Sequence, residues 1–117
     1  MGDKLECVVD KLKNGVGVAH LVGRLDIASA AEVKRVFGDV VSGGNPRLVV
    51  DLAGVGYIDS SGLSALVSGL RTARQAGGDL RIAAAGDQPS ALFTLTSLDQ
   101  VFKLYPPVQE AMSGYDD

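Results

Sequence analysis

Between Leu48 and Leu66 the chain reads Leu-Val-Val-Asp-Leu-Ala-Gly-Val-Gly-Tyr-Ile-Asp-Ser-Ser-Gly-Leu-Ser-Ala-Leu, and no other stretch constrains the fold as tightly. Arg47–Leu52 is a nearly continuous β-rich run, the pattern of a central strand covered on both faces. A turn follows, and Asp59-Ser60-Ser61-Gly62 then stands where a helix must begin, because Leu63, Leu66, Val67 and Leu70 recur at helical spacing. Side-chain oxygens of Asp or Ser at such a start satisfy backbone N–H groups that have no partner within the helix. A hydroxyl held there also borders a natural anion site, since the free N–H groups and the helix dipole favour negative charge. The motif therefore offers a serine whose phosphorylation the local backbone can accept.

The flanking sequence repeats the strand-then-helix theme. Leu5–Asp10 and Val16–Val22 read as strands joined by Lys11-Leu12-Lys13-Asn14-Gly15, whose Asn-Gly is a strong hairpin signal. Gly23-Arg24-Leu25-Asp26 closes the second strand, and Ser29 with Glu32 three residues on forms a capping box. The helix behind it places Val33, Val36, Phe37 and Val40 on one buried face and stops at Gly43-Gly44-Asn45-Pro46. After the Leu63 helix, with Arg71 and Arg74 in its last turn, Gly77-Gly78 is the stop and Leu80–Ala84 the next strand. Pro89 suits the first turn of a third helix containing Leu92, Phe93 and Leu95. Val101–Leu104 reads as an edge strand, Val108–Met112 as a short last helix and Gly114–Asp117 as an acidic tail. Alternating strands and helices after an initial hairpin predict an α/β sandwich, with a mixed sheet of four to five strands and about four helices. The expected organisation is one domain over residues 1–113 with a tail over 114–117.

Composition removes several classes of function. The net charge of −3, with eleven scattered Lys and Arg, opposes a nucleic-acid role driven by phosphate contacts and offers no polybasic run for a membrane surface. No apolar run approaches the roughly 20 residues of a membrane span, and the first residues lack a signal-peptide core. Cys7 is the only cysteine, so no intrachain disulfide can form; it falls on an alternating apolar pattern and reads as a small core side chain. The expected setting is the cytoplasm.

Catalytic and metal chemistry find little to use. The single histidine, His20, lies mid-strand, where packing or a hydrogen bond is its expected role, and no serine has the Gly-x-Ser-x-Gly elbow. One Cys, one His and scattered carboxylates make a poor zinc set. Neither the Walker phosphate loop nor Gly-x-Gly-x-x-Gly occurs; Gly54-Val-Gly56 lacks the third glycine. No cofactor and no metal are expected, and the chain reads as a non-enzyme. Asp26, Asp51 and Asp59 each end or follow a strand. For Asp51 capping and turn formation is the favoured reading, whereas Asp26 and Asp59 stand equally as turn formers or as acids converging beside the Leu63 helix. For the serines, the plain reading makes one the N-cap, worth about 1 kcal/mol, and the other a first-turn residue.

Three blocks resemble the STAS domain family, specifically the small stand-alone anti-sigma factor antagonists of bacteria. They are Leu21-Val-Gly-Arg-Leu-Asp26 with Ser29-Ala30; Leu48-Val-Val-Asp-Leu-Ala-Gly54 with Ile58-Asp-Ser-Ser-Gly-Leu63; and Leu92-Phe-Thr-Leu-Thr-Ser-Leu98 with Val101-Phe-Lys-Leu-Tyr105. The resemblance implies four to five strands against a layer of helices, and a partner that is both an anti-sigma factor and an ATP-dependent serine kinase. It implies that the unphosphorylated chain binds this kinase, that phosphorylation releases it, and that a PP2C-type phosphatase resets it. Ser60 would be the phosphorylated residue, with Ser61 and Gly62 as its helix-start companions and Asp26 and Asp59 as acidic neighbours. Docking would use the start of the Ser60 helix and the Asp26–Ser29 loop, extended by Ser64, Ser68 and Arg71. Three departures stand out: Arg24 where many relatives have Glu, Ser29 where Thr is frequent, and Ser97 where Gly is usual, which predicts a different bend in that loop. Two other roles compete: an unphosphorylated adaptor in a lipid-transport or stressosome-like complex, and a nucleotide-binding domain, which the missing phosphate loop opposes.

Overall fold

The computed structural model describes residues 5–12 and 14–105. Its chain order is β1 (Glu6–Lys11), β2 (Val16–Leu25), α1 (Ala30–Ser42), β3 (Arg47–Ile58), α2 (Ser60–Gln75), β4 (Asp79–Ala83), α3 (Asp87–Leu95), a 3-10 turn (Leu98–Gln100) and β5 (Lys103–Tyr105). The hairpin forms at Asn14-Gly15 as expected. Gly15 takes φ +82°, and the Asn14 side chain accepts from the Val16 N–H at 3.3 Å. The strands lie in the order β1-β2-β3-β4-β5, β1 antiparallel to β2 and every later pair parallel, each joined through a helix. The expected fold class is thus observed, with three α-helices among the described residues. The helix read at Val108–Met112, like the tail, falls outside them.

One face of the sheet holds the main core. Leu21, Leu25, Leu48, Val50, Leu52, Ile58, Leu80 and Ile82 meet Val33, Phe37 and Val40 of α1 and Leu63, Leu66 and Leu70 of α2. Burial of each such side chain contributes about 1.5–3 kcal/mol. Gly69 lets the two helices approach, since a Cβ there would lie 2.4 Å from the Phe37 ring. Val36, expected in this face, is half-buried, and Leu95 of α3 is 82% exposed. Cys7 is half-buried against the same cluster.

Both central strands run further than local signals suggest: β2 continues past Val22 to Leu25, and β3 past Leu52 to Ile58. Gly54 and Gly56, in the stretch expected to turn after Leu52, are inside β3. A Cβ at Gly54 would lie 2.8 Å from the Val22 side chain and 3.0 Å from the Leu21 carbonyl, so glycine there serves close strand approach rather than a turn. Register shifts between His20 and Val22 and between Gly23 and Arg24 absorb the mismatch.

Ser97 adopts φ +60°, ψ +16°, the left-handed conformation that glycine takes without strain. The serine therefore accepts a glycine-type bend instead of altering it. Ser97→Gly is expected to stabilise the chain by about 0.5 kcal/mol, the relief of left-handed strain net of glycine's added chain entropy, measured as a shift in urea midpoint.

The opposite face carries buried Val16, Val18, Val49 and Ala83, and beside them a charged cluster. His20 Nδ1 lies 2.7 Å from Asp51 and Nε2 lies 3.2 Å from Asp10, linking β1, β2 and β3, while the other Asp51 oxygen accepts from the Ala53 N–H at 2.9 Å. His20 thus has the hydrogen-bonding role expected of it. The bond to Asp51 raises its pKa above 6.5, opposed by desolvation and reinforced by Asp10. A folded-state pKa above the unfolded value gives stability that is complete below about pH 6.5 and lost as pH rises through the folded value. The stability difference between wild type and His20→Gln should be largest near pH 6 and shrink toward pH 9, as read by urea denaturation across that range.

Candidate functional site

Because β2 and β3 are parallel and Leu25 pairs with Ile58, the next residue of each, Asp26 and Asp59, emerges at the same end of the sheet. The Asp59 N–H donates to the Leu25 carbonyl at 3.2 Å. Its backbone is extended, φ −107° and ψ −173°, and its side chain accepts from the Gly62 N–H at 2.9 Å. Asp59 is therefore the N-cap of α2, which corrects the plain reading that one of the serines fills this role. Ser60 and Ser61 are both first-turn residues, and neither hydroxyl has a hydrogen-bond partner among the described residues. Ser60 is exposed and Ser61 half-buried.

The Asp26 loop is held from within. The Asp26 side chain accepts from Ala28 N–H at 3.0 Å, and its carbonyl accepts from Ser29 N–H at 3.1 Å and Ala30 N–H at 2.9 Å. The buried Ser29 hydroxyl donates to the Arg24 carbonyl at 2.9 Å and accepts from the Asp26 N–H at 3.1 Å. The capping box expected at Ser29 and Glu32 does not form. Ser29 has near-helical angles, φ −111° and ψ −11°, so its hydroxyl turns back to the loop, while Glu32 pairs with Arg35. Arg24 lies 3.5 Å from Asp26 and 4.3 Å over the Tyr57 ring, which fixes the residue that departs from the usual Glu.

The two loops frame a shallow depression of about 380 Å³ lined by Ile27, Ala30, Ala31, Lys34, Ser60, Ser61 and Ser64. Three expected residues, Ser60, Ser61 and Ser64, thus share one surface. Asp26, Asp59, Ser29 and Gly62 support it from beneath or beside. Exposed Arg71 and half-buried Ser68 continue along α2, at i+7 and i+4 from Ser64. Sequence reasoning missed Ile27, 78% exposed at the loop tip, and Lys34, an exposed cation with no ion pair among the described residues. The only available signals were an apolar residue at a turn and a lysine one helical turn beyond Ala30. Among the described residues there is no group of three metal-ligating side chains.

Gly62 owes its place to packing. A Cβ on it would lie 2.1 Å from the Leu25 carbonyl oxygen and 2.7 Å from its carbon, backbone atoms that cannot yield cheaply. Gly62→Ala should push the start of α2 off β2 and cost about 2–3 kcal/mol, measured by chemical denaturation.

With this arrangement in view, comparison with known proteins places the chain. Residues 8–111 match the STAS domain model, and the chain belongs to that family. It is 30% identical over 103 residues to the anti-sigma-F factor antagonist RsfB of Mycobacterium tuberculosis, covering 86% of this chain and 82% of RsfB. It is 32% identical over 76 residues to the anti-sigma-B factor antagonist of Staphylococcus aureus, covering 65% of this chain and 70% of that protein. The crystal structure of an anti-sigma factor antagonist from Mycobacterium paratuberculosis superimposes with a TM-score of 0.88 at 29% identity, over 100% of this chain and 98% of the other. No helix of the described residues is long and apolar enough to cross a membrane.

Proposed function

We propose that this chain is an anti-sigma factor antagonist of the cytoplasm, which binds an anti-sigma factor with serine-kinase activity and is released when that partner phosphorylates Ser60. The observation that carries the reading is the division of labour at the start of α2. Asp59 caps the helix, so the exposed Ser60 hydroxyl is left with no hydrogen-bond partner among the described residues. The antagonist relatives support the same role. A PP2C-type phosphatase would remove the phosphate and restore binding.

Phosphorylation would add about −1.5 to −2 charges one residue from Asp59. The N-terminal dipole of α2 would offset part of the local repulsion, about 0.3–1 kcal/mol. The fold would therefore survive while the docking face changes its potential, as a binding switch requires. The chain acts by binding and not by catalysis. Its one histidine is engaged by Asp10 and Asp51, and Asp51 stands seven residues before Ile58 on β3, about 23 Å of strand short of the turn that carries the serines.

Ser60→Ala should bind the anti-sigma factor as tightly as wild type and take no phosphate. Ser60→Asp should bind about tenfold more weakly, a loss near 1.4 kcal/mol. Titration calorimetry with the two variants, and mass spectrometry after incubation with the kinase and ATP, measure both. Equal binding by the variants would remove the switch, and a wild-type chain left unmodified would favour the unphosphorylated adaptor.

A further inference from the structure

Strand β3 outruns its neighbour. Its pairing with β4 spans Arg47–Asp51 against Asp79–Ala83, after which β3 continues to Ile58 with no strand on that edge among the described residues. Ala84, at φ +57°, turns the chain away and α3 begins at Asp87. The edge is closed at its far end by one side chain. The Gln88 carboxamide accepts from the Ile58 N–H at 2.8 Å and donates to the Ile58 carbonyl at 2.9 Å, the two bonds a neighbouring strand would have made. Ile58 is 1% exposed, so without Gln88 both backbone groups would be buried and unpaired.

The peptide unit that carries the Ile58 carbonyl is held from the other side as well, by its Asp59 N–H donating to the Leu25 carbonyl. Consecutive residues immediately before Ser60 are thus gripped from opposite edges of β3. Gln88 is itself anchored. Pro89 is buried beside it, the Ser90 N–H and hydroxyl bond to the Gly86 and Ala85 carbonyls, and Phe93 packs edge-on to Phe102 at 5.7 Å between ring centres. We infer that Gln88 is a positioning residue for Ser60: it sets the strand end from which the phosphate-accepting turn departs, and so ties that turn to α3. This rests on the reading of Ser60 as the phosphate acceptor. It adds a residue outside the Asp-Ser-Ser-Gly motif, on an element that contributes nothing to the depression around the serines.

The test uses the full chain with Gln88→Leu, which removes both bonds at similar volume, and Gln88→Glu, which keeps an acceptor for the Ile58 N–H. Amide hydrogen exchange of the free protein and phosphorylation by an anti-sigma kinase with ATP are the two readouts. In Gln88→Leu the hydrogen-bonded amides of Ile58, Asp59, Gly62 and Leu63 should exchange about tenfold faster after correction for global stability. Phosphorylation should fall about tenfold in kcat with KM nearly unchanged, because the docking surface is intact while the hydroxyl is displaced. Gln88→Glu should recover part of both. Unchanged exchange at Asp59, Gly62 and Leu63 would overturn the inference from the free protein alone. A wild-type chain that takes no phosphate would overturn the reading of Ser60. A wild type and Gln88→Leu phosphorylated equally fast would overturn only the role of Gln88.

Discussion

The Leu25 carbonyl is the point on which the site depends. It accepts the Asp59 N–H at 3.2 Å and leaves no room for a side chain at residue 62. Two parallel strands are therefore locked at their ends, and the helix following one of them sits against the last residue of the other. Parallel pairing aligns the carboxyl ends of β2 and β3, which is where loops of an α/β sheet gather functional groups. The Asp26 turn and the Asp59 cap become neighbours only because Leu25 and Ile58 are in register. A one-residue slip would move Leu25 and Ile58, both fully buried, toward the opposite face, so the core enforces the geometry of the surface.

Much of this was legible in the chain itself, and the failures share a cause. The Asn14-Gly15 hairpin, the apolar spacing of α1 and α2 and the strand-helix alternation are local signals that tertiary structure had no reason to oppose. Caps and turns are different, because a residue's meaning there depends on the backbone angles its neighbours impose. Ser29 and Glu32 have the right types and spacing for a capping box, yet Ser29 is drawn into the Asp26 turn, where its hydroxyl bridges Arg24 and Asp26. Gly54 and Gly56 look like turn residues, and the contact that keeps Gly54 in a strand comes from Val22, on another strand. Gln88 carries no signal at all, since its partner lies thirty residues earlier in the chain.

The carboxylates show how an acidic chain distributes its charge. Asp10 and Asp51 serve His20 on the sheet face away from the main core, while Asp26 and Asp59 serve backbone N–H groups at the strand ends. Arg35 takes Glu32 and Asp39 on the outer face of α1. Pairs this exposed contribute little each, so their consequence is mainly spatial. The acids nearest the serines are already committed to backbone, whereas Lys34 in the same depression has no ion pair among the described residues. The depression thus offers small hydroxyls, one apolar tip at Ile27 and the Lys34 cation.

That inventory bears on which serine suits a switch. Ser61 is half-buried in the depression it shares with Ile27 and Ala30, so a phosphate there would be partly desolvated. Ser60 is exposed, so a phosphate on it would stay hydrated. The Gly62 N–H is already taken by Asp59, and the cap would not need to be surrendered to accommodate the new charge. A modification that leaves the helix start, its cap and the core beneath unchanged can alter only what a partner meets. On the proposed reading, the rigidity supplied by Leu25, Gly62 and Gln88 therefore makes phosphorylation a change of surface and not of fold.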